Sequence, residues 1–264
     1  MERPALDQDH LRSLILENST LWRHLELVRR TGSTNADLMA GANTERYPFG
    51  SVLVAEEQFA GRGRLDRSWQ GPPRSGLAVS VLLPSPEGFE PTLMPLLVGV
   101  AATRAIRARS GLAHPEQVGL KWPNDVMIGE RKVGGILTHQ IGAKGKKAIV
   151  AGLGLNVSLT EEELPTSTAT SLLLAGATES DRSVYLDHFL HELENLLTAS
   201  DTDSLISEYL SVSLTIGREV MVELPGTKRH FGVATTIDSS GALVLADGFV
   251  FSAGDVVHLR GVTS

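Results

Sequence analysis

At 264 residues the chain has room for one large domain, or a large one with a small one, at about 150 residues each. Hydrophobic residues at 42% and charged residues at 21% are ordinary globular usage, which excludes a disordered chain, a collagen-like repeat and a coiled coil. No cysteine is present, so disulfide frameworks, thiolate zinc sites and cysteine nucleophiles are excluded. Lys plus Arg number 24 against 31 Asp plus Glu, a net −7, which gives no global pull on nucleic acid. No apolar run approaches the ~18 residues of a membrane span, and no basic-then-apolar leader opens the chain. The expectation is a cytoplasmic protein without a membrane or nucleic-acid partner.

Leu6, Leu11, Leu14, Ile15 and Leu16 are spaced as one amphipathic helix, too little for a helix-turn-helix unit, which packs two or three helices. A strand is expected over 25–28, and Thr34 with Asp37 reads as a capping box opening a helix through Met39. Residues 51–55 after Gly50 are β-rich, a polar Gly- and Arg-rich stretch runs to Arg74, and residues 76–83 form another strand. Leu96-Leu97, Val100-Ala101 and Arg104-Ala105 give helical spacing over 93–107. Residues 120–157 read as strands joined by tight turns at Gly129-Glu130 and at 143–147, so part of the sheet is antiparallel.

Thr160 with Glu163 forms a second capping box, for one short helical turn. Tyr185, Leu186, Phe189, Leu190, Leu193, Leu196 and Leu197 make an amphipathic helix, with another over 205–210. After Ser213, short strands at 220–224, 231–237, 243–245 and 249–251 are separated by Leu224-Pro225-Gly226, Ser239-Ser240-Gly241 and Asp247-Gly248. That pattern reads as a small β-barrel. The chain divides into 1–212 and 213–264.

Three segments carry candidate chemistry. Residues 61–69 (Gly-Arg-Gly-Arg-Leu-Asp-Arg-Ser-Trp) hold three arginines against one aspartate. Glycines let backbone approach a ligand, and guanidinium groups match phosphate oxygens; the alternative is a flexible solvated loop. Asp66 stands where a dinucleotide fingerprint needs its third glycine, and no Gly-Lys-Ser/Thr completes a P-loop. In Lys121-Trp122-Pro123-Asn124-Asp125, with Arg131-Lys132 just beyond, a lysine, an amide and a carboxylate can converge on one pocket; the alternative is a self-satisfied turn. Gly152-Leu153-Gly154-Leu155-Asn156 puts glycines inside an apolar strand, the mark of a ligand or backbone approaching closely, or of a plain bulge. His188 and His191 lack a third ligand at metal-site spacing, Lys144, Lys146 and Lys147 fit a turn facing water, and no Gly-x-Ser-x-Gly supports a hydrolase elbow.

Ser33-Thr34-Asn35, Gly61-Arg62-Gly63-Arg64 with Trp69, Lys121 to Asp125, Arg131-Lys132 before Gly135-Ile136-Leu137, and Gly154-Leu155-Asn156 occur in that order. The set resembles biotin protein ligases over roughly residues 25–260. The resemblance implies an α+β fold: a mixed sheet flanked by helices in a class II synthetase-like ligase domain, with a C-terminal SH3-like β-barrel. It implies ATP-dependent activation of biotin to biotinyl-5′-AMP, then transfer to a lysine of a biotin carboxyl carrier domain of acyl-CoA or pyruvate carboxylase, with Mg²⁺ bridging the phosphates. The sequence looks like the monofunctional group, without the winged-helix domain of repressor-type members, and is expected to be a monomer or weak homodimer.

By the same resemblance Lys132, Arg62, Arg64 and Asp125 are catalytic. Lys132 reaches the biotin carboxylate and α-phosphate, the two arginines close over both, and Asp125 orients the incoming amine. Ser33, Thr34, Asn35, Gln58, Gly63 and Gly135 join Arg62, Arg64 and Lys132 around biotin. Arg64, Arg67, Trp69, Asn124, Lys132 and Asn156 serve the nucleotide, with Trp69 over the adenine. One departure is Leu65-Asp66, where the family continues with basic or glycine residues; Asp66 would sit near the anionic intermediate or pair with Arg67. Other readings are a lipoate–protein ligase-like acyl-adenylate transferase, which would lack these paired motifs, a biotin-sensing DNA-binding repressor, disfavoured by the acidic charge, and an inactive biotin-binding module, disfavoured by Lys132 and Asp125.

Overall fold

The computed structural model describes residues 3–44, 46–85, 89–143, 145–199, 201–224 and 228–259. Seven strands build the larger sheet: β1 (His24–Val28), β2 (Ser51–Ala55), β3 (Gly76–Pro84), β4 (Val118–Lys121), β5 (Asp125–Ile128), β6 (Arg131–Ala143) and β7 (Lys146–Asn156). Their order is β1-β2-β3-β7-β6-β5-β4. β1 and β2 run parallel, which requires a crossover, and helix α2 (Thr34–Gly41) provides it. Every other pairing in this sheet is antiparallel, as the turn signals implied.

The two faces of this sheet have different fates. On one, Val52, Val54, Val79, Val81, Ile149, Ala151 and Leu153 pack into the main core with α1 (Gln8–Leu16), α3 (Met94–Arg109), α4 (Arg182–Ala199) and α5 (Thr202–Val212). On the other, Leu53, Leu82 and Val150 pack under α2 through Leu38, Ala42 and Tyr47. Along that second face the cross-strand rows become small where α2 stops. Leu82–Val150–His139 gives way to Ser80–Gly152–Leu137 and then to Ala78–Gly154–Gly135. The glycines of these rows, Gly135, Gly152 and Gly154, form the floor of the site described below.

Ser33 caps α2, its hydroxyl accepting from the Ala36 N–H. The capping residue is therefore one earlier than the expected Thr34, whose hydroxyl turns into the site instead. The second capping box, Thr160 with Glu163, forms as expected around one 3₁₀ turn.

A second, five-stranded antiparallel sheet follows α5: β8 (Glu219–Glu223), β9 (Arg229–Ile237), β10 (Leu243–Leu245), β11 (Val250–Phe251) and β12 (Asp255–His258), in the order β11-β10-β9-β8-β12. β12 was not anticipated; half of its four residues are polar, and no apolar run announces it. Pro225, Gly226 and Lys144 of the expected turns lie outside the described residues. This sheet is joined to the larger one by Leu214 N–H donating to the Leu120 carbonyl at 2.7 Å, and by Trp122 Nε1 donating to the Gly241 carbonyl at 3.0 Å.

Arg182, opening α4, and Glu56, just past β2, form an ion pair at 2.6 Å with side chains only 4% and 7% exposed. Glu56 also accepts from the Leu6 N–H at 2.7 Å, and Arg182 donates to the Pro4 carbonyl at 2.7 Å. The pair fixes the chain two residues before Gln58. Arg182→Met leaves Glu56 charged and buried, so it should lose about 3–5 kcal/mol of unfolding free energy in urea at pH 7. Adding Glu56→Gln should recover much of that loss; a single variant within ~1 kcal/mol of the parent would contradict this role for the pair.

Candidate active site

A cavity of about 340 Å³ opens over the glycine strip of β3, β7 and β6, within the range of small-molecule sites. A β-carbon on Gly154 would lie 2.2 Å from Trp69 Nε1, and one on Gly152 would lie 2.4 Å from Asn35 Oδ1. The strand glycines thus make room for two protein side chains that descend onto the sheet. Trp69 is carried by the 61–69 loop and Asn35 by the first turn of α2.

At the α2 end the lining is polar, uncharged and mutually hydrogen-bonded. Gln58 Oε1 accepts from the Thr34 N–H at 2.8 Å and the Thr34 hydroxyl at 3.0 Å. The Ser80 hydroxyl lies 2.6 Å from both Thr34 Oγ1 and Asn35 Oδ1, and Asn35 Nδ2 donates to the Leu137 carbonyl at 2.9 Å. Ser80 is 1% exposed and was not singled out from sequence. Its signal was there: one hydroxyl in the run Leu77 to Leu83, on the face where Ala78, Gly152 and Gly154 also lie.

The opposite end is charged. Lys132 Nζ donates to Asp125 Oδ1 at 2.5 Å and stands 5.6 Å from the Trp69 ring centroid, a cation–π distance. Asp125 opens β5 and Lys132 sits early in β6, so one hairpin holds both. Lys121 faces Asp125 across β4–β5 and also lines the cavity. Burial lowers the Lys121 ammonium from the usual lysine range; Asp125 and Asp255 oppose that shift while Lys132 and Arg67 add to it. Burial likewise lowers the Arg64 pKa, with Asp255 and Asp125 opposing the shift; the guanidinium stays charged, as arginine does throughout proteins. Two amides are tied to backbone: Asn124 Nδ2 donates to the Ile136 carbonyl at 2.8 Å and Asn156 Nδ2 to the Thr170 carbonyl at 3.0 Å.

The 61–69 loop is a small hairpin. Trp69 N–H donates to the Gly61 carbonyl at 2.9 Å and Gly63 N–H to the Arg67 carbonyl at 2.7 Å. At its tip Leu65 (φ 52°) and Asp66 (φ 57°) are left-handed without being glycine, a conformation that costs of order 1–2 kcal/mol per residue. Asp66 pairs with Arg62 at 3.5 Å, not with Arg67, whose guanidinium pairs with Asp255 of β12. Asp255 is the contribution of the C-terminal sheet that sequence reasoning missed, because it lies in the unanticipated strand. The structure gathers every residue expected around the ligands into this one lining, Ser33 and Gly63 included. His188 lies elsewhere, accepting from Arg109 Nε at 3.3 Å.

Comparison with known proteins bears on this geometry. Residues 27–156 match the Biotin/lipoate A/B protein ligase family and residues 215–259 the biotin protein ligase C-terminal domain. A biotin–[acetyl-CoA-carboxylase] ligase of Mycobacterium tuberculosis is 39% identical over 98% of this chain and 97% of its own. The chain belongs to the biotin protein ligase family. The bifunctional ligase/repressor BirA of Bacillus subtilis is 30% identical over 87% of this ligase and 71% of its own length. Among solved structures, the Aquifex aeolicus biotin protein ligase in complex with biotin and ATP aligns with a TM-score of 0.69 at 26% identity. That alignment covers 91% of this ligase and all of the Aquifex chain. In this ligase no helix among the described residues is long and apolar enough to cross a membrane.

Two measurements check how the ligase site is built. Trp69 is half-buried whereas Trp22 and Trp122 are each 2% exposed. Gly154→Val should therefore expel the Trp69 ring and shift tryptophan emission to the red; an unchanged spectrum would mean that the ring does not rest on Gly154.

The second concerns the seam with the C-terminal sheet. Thr215 Oγ1 accepts from the Trp122 N–H at 3.0 Å and lies within hydrogen-bond distance, 3.0 Å, of His258 Nε2. Burial, with Lys121 and Arg218 adding, lowers the His258 pKa from 6.5 to about 4. The unfolded chain then binds the proton first on acidification, so this contribution to stability is full above pH ~6.5 and is lost toward pH ~4. His258→Gln should narrow the fall in melting temperature between pH 7 and pH 5; an identical fall in both proteins would contradict the assignment.

Proposed function

We propose that this ligase activates biotin with ATP to biotinyl-5′-AMP and transfers the biotinyl group to one lysine of a carboxylase's biotin carboxyl carrier domain. The observation that carries the reading is the polarity of a single cavity. A neutral hydrogen-bonding end (Thr34, Gln58, Ser80) suits the ureido ring of biotin, and a cationic end (Lys132, Lys121, Arg64) lies where two anions must meet.

In the first half-reaction a biotin carboxylate oxygen attacks the α-phosphorus of ATP, and the bond from that phosphorus to the bridging oxygen breaks, releasing pyrophosphate. Negative charge concentrates between the two reactants, and Lys132, an ammonium held at the charged end of the cavity by Asp125, would meet it there, with Arg62 and Arg64 arriving from the loop. Its partner Asp125 holds Nζ in place, so little reorganisation accompanies the reaction. Trp69, resting on Gly154, offers a flat face to the adenine. Among the described residues there is no cluster of three side chains able to hold a metal ion. Mg²⁺ would therefore enter on the ATP phosphates, the usual habit of an ion that keeps waters and takes few protein ligands. When bound it supplies charge neutralisation at the phosphates.

In the second half-reaction the carrier amine attacks the acyl carbon of the mixed anhydride, the bond to the AMP oxygen breaks, and the amine sheds a proton. Asp125 would orient that amine, a role supported by its carboxylate on the cavity wall beside Lys132. The loop excludes water from an intermediate that would otherwise hydrolyse.

Lys132→Ala should keep the parent's fold and lose biotin-dependent pyrophosphate release by about 10²–10³-fold, the usual consequence of removing one such stabilising group. Near-parent release by a well-folded variant would remove Lys132 from the mechanism.

A further inference from the structure

Three carboxylates line the cavity: Asp125, Glu223 and Asp255. Asp125 pairs with Lys132 inside the larger sheet, and Glu223 pairs with Arg229 across β8–β9. Asp255 alone of the three reaches from one part of the fold to another, pairing with Arg67 on the returning arm of the 61–69 hairpin. Its side chain is only 19% exposed, whereas that of Arg67 is 65% exposed, so the barrel supplies a fixed anchor and the loop supplies the movable partner.

The tip of the hairpin needs an anchor of its own, since Trp69 on Gly154 secures only the base. Its tip carries two consecutive non-glycine residues in left-handed conformation, Leu65 is 71% exposed, and the Arg62–Asp66 pair is surface-exposed. None of these contacts holds the loop against the cavity, and contacts of that exposed kind contribute little. Arg67 follows directly on the 3₁₀ turn that contains Arg64, with Arg67 N–H donating to the Arg64 carbonyl at 3.2 Å. A fixed Arg67 therefore fixes the backbone that carries Arg64. The Asp255 charge also acts on Arg64 and Lys121, both of which face the cavity.

We propose that Asp255 is a positioning residue for ATP capture: through Arg67 it ties the arginine hairpin to the C-terminal barrel and holds Arg64 over the cationic end of the cavity. This rests on the functional reading above for its ATP, and on the ion pair alone for its loop contact. Because it acts before chemistry, its loss raises the ATP concentration that is needed and leaves the turnover of bound substrate nearly intact.

The test uses the full chain with Asp255→Asn, Asp255→Glu, and the exchange of Asp255→Arg with Arg67→Asp. Trypsin cleavage at Arg62 and Arg64 is followed without ligand, alongside KM for ATP, kcat and melting temperature. Asp255→Asn should cleave at least fivefold faster and raise KM for ATP at least fivefold, with kcat within twofold. Asp255→Glu should restore both values toward the parent, and the exchange should restore the slow cleavage. Should Asp255→Asn fail to fold, Arg67→Gln removes the other partner and is read by cleavage at Arg62 and Arg64 alone, because Arg67 itself is expected at the nucleotide: at least fivefold faster cleavage supports the anchor, and parent-like cleavage overturns it.

Parent-like cleavage and KM in a folded Asp255→Asn protein would overturn the proposal. So would a fall in kcat with unchanged KM and cleavage. The cleavage measurement requires no activity, so a parent protein that forms no adenylate would overturn the functional reading without deciding the anchor.

Discussion

Gly135, Gly152 and Gly154 lie on one face of β6 and β7, and without β-carbons there the Trp69 ring and the Asn35 amide come down onto the backbone. That closeness sets everything above it. Trp69 brings the arginine hairpin with it, since its own N–H is bonded to Gly61 at the hairpin's base. Asn35 brings the first turn of α2, and with it Thr34 toward Gln58. A side chain at Gly152 or Gly154 would lift one wall of the cavity away from its floor, whereas one at Gly135 would press more mildly on Trp69 and Lys132. Glycine in a strand interior weakens the strand, and here the weakness is covered on the opposite face, where Ala151 and Leu153 are buried in the main core.

A second constraint is electrical. An acidic chain of net −7 has to accommodate two anionic reactants, and it does so by concentrating cations locally. Lys121, Lys132, Arg62, Arg64 and Arg67 share one lining with only three carboxylates. Two of them, Asp125 and Asp255, form ion pairs that set the positions of Lys132 and Arg67, so they organise the positive end more than they cancel it. The C-terminal barrel takes part in this arrangement through Asp255, and the seam of Leu120, Trp122 and Thr215 makes its placement part of the cavity wall.

Much of this was legible in the sequence, for reasons that differ by element. The long strands and hairpins showed because apolar alternation and glycine turns are local signals; each site motif alone has an ordinary structural reading, and the site showed because the set occurs in one order that resembles biotin protein ligases. The cap of α2 was displaced by one residue because Ser33 and Thr34 are equally good caps, and only the distant Gln58 and Ser80 decide which hydroxyl is needed in the site. Ser80 itself was hidden by its apolar neighbours. β12 escaped notice because half of it is polar, and Asp255 escaped with it. Its partner Arg67 is 188 residues away in the chain, a distance at which spacing carries no information.

The central claim is that this one cavity joins biotin to a protein lysine through an adenylate. It is tested most directly by intact mass spectrometry of an apo biotin carboxyl carrier domain incubated with the ligase, ATP and either biotin or lipoate. The account predicts one added biotinyl group on the carrier, at its acceptor lysine, dependent on ATP and accompanied by AMP and pyrophosphate. A carrier left unmodified by biotin, or modified by lipoate in its place, would contradict it.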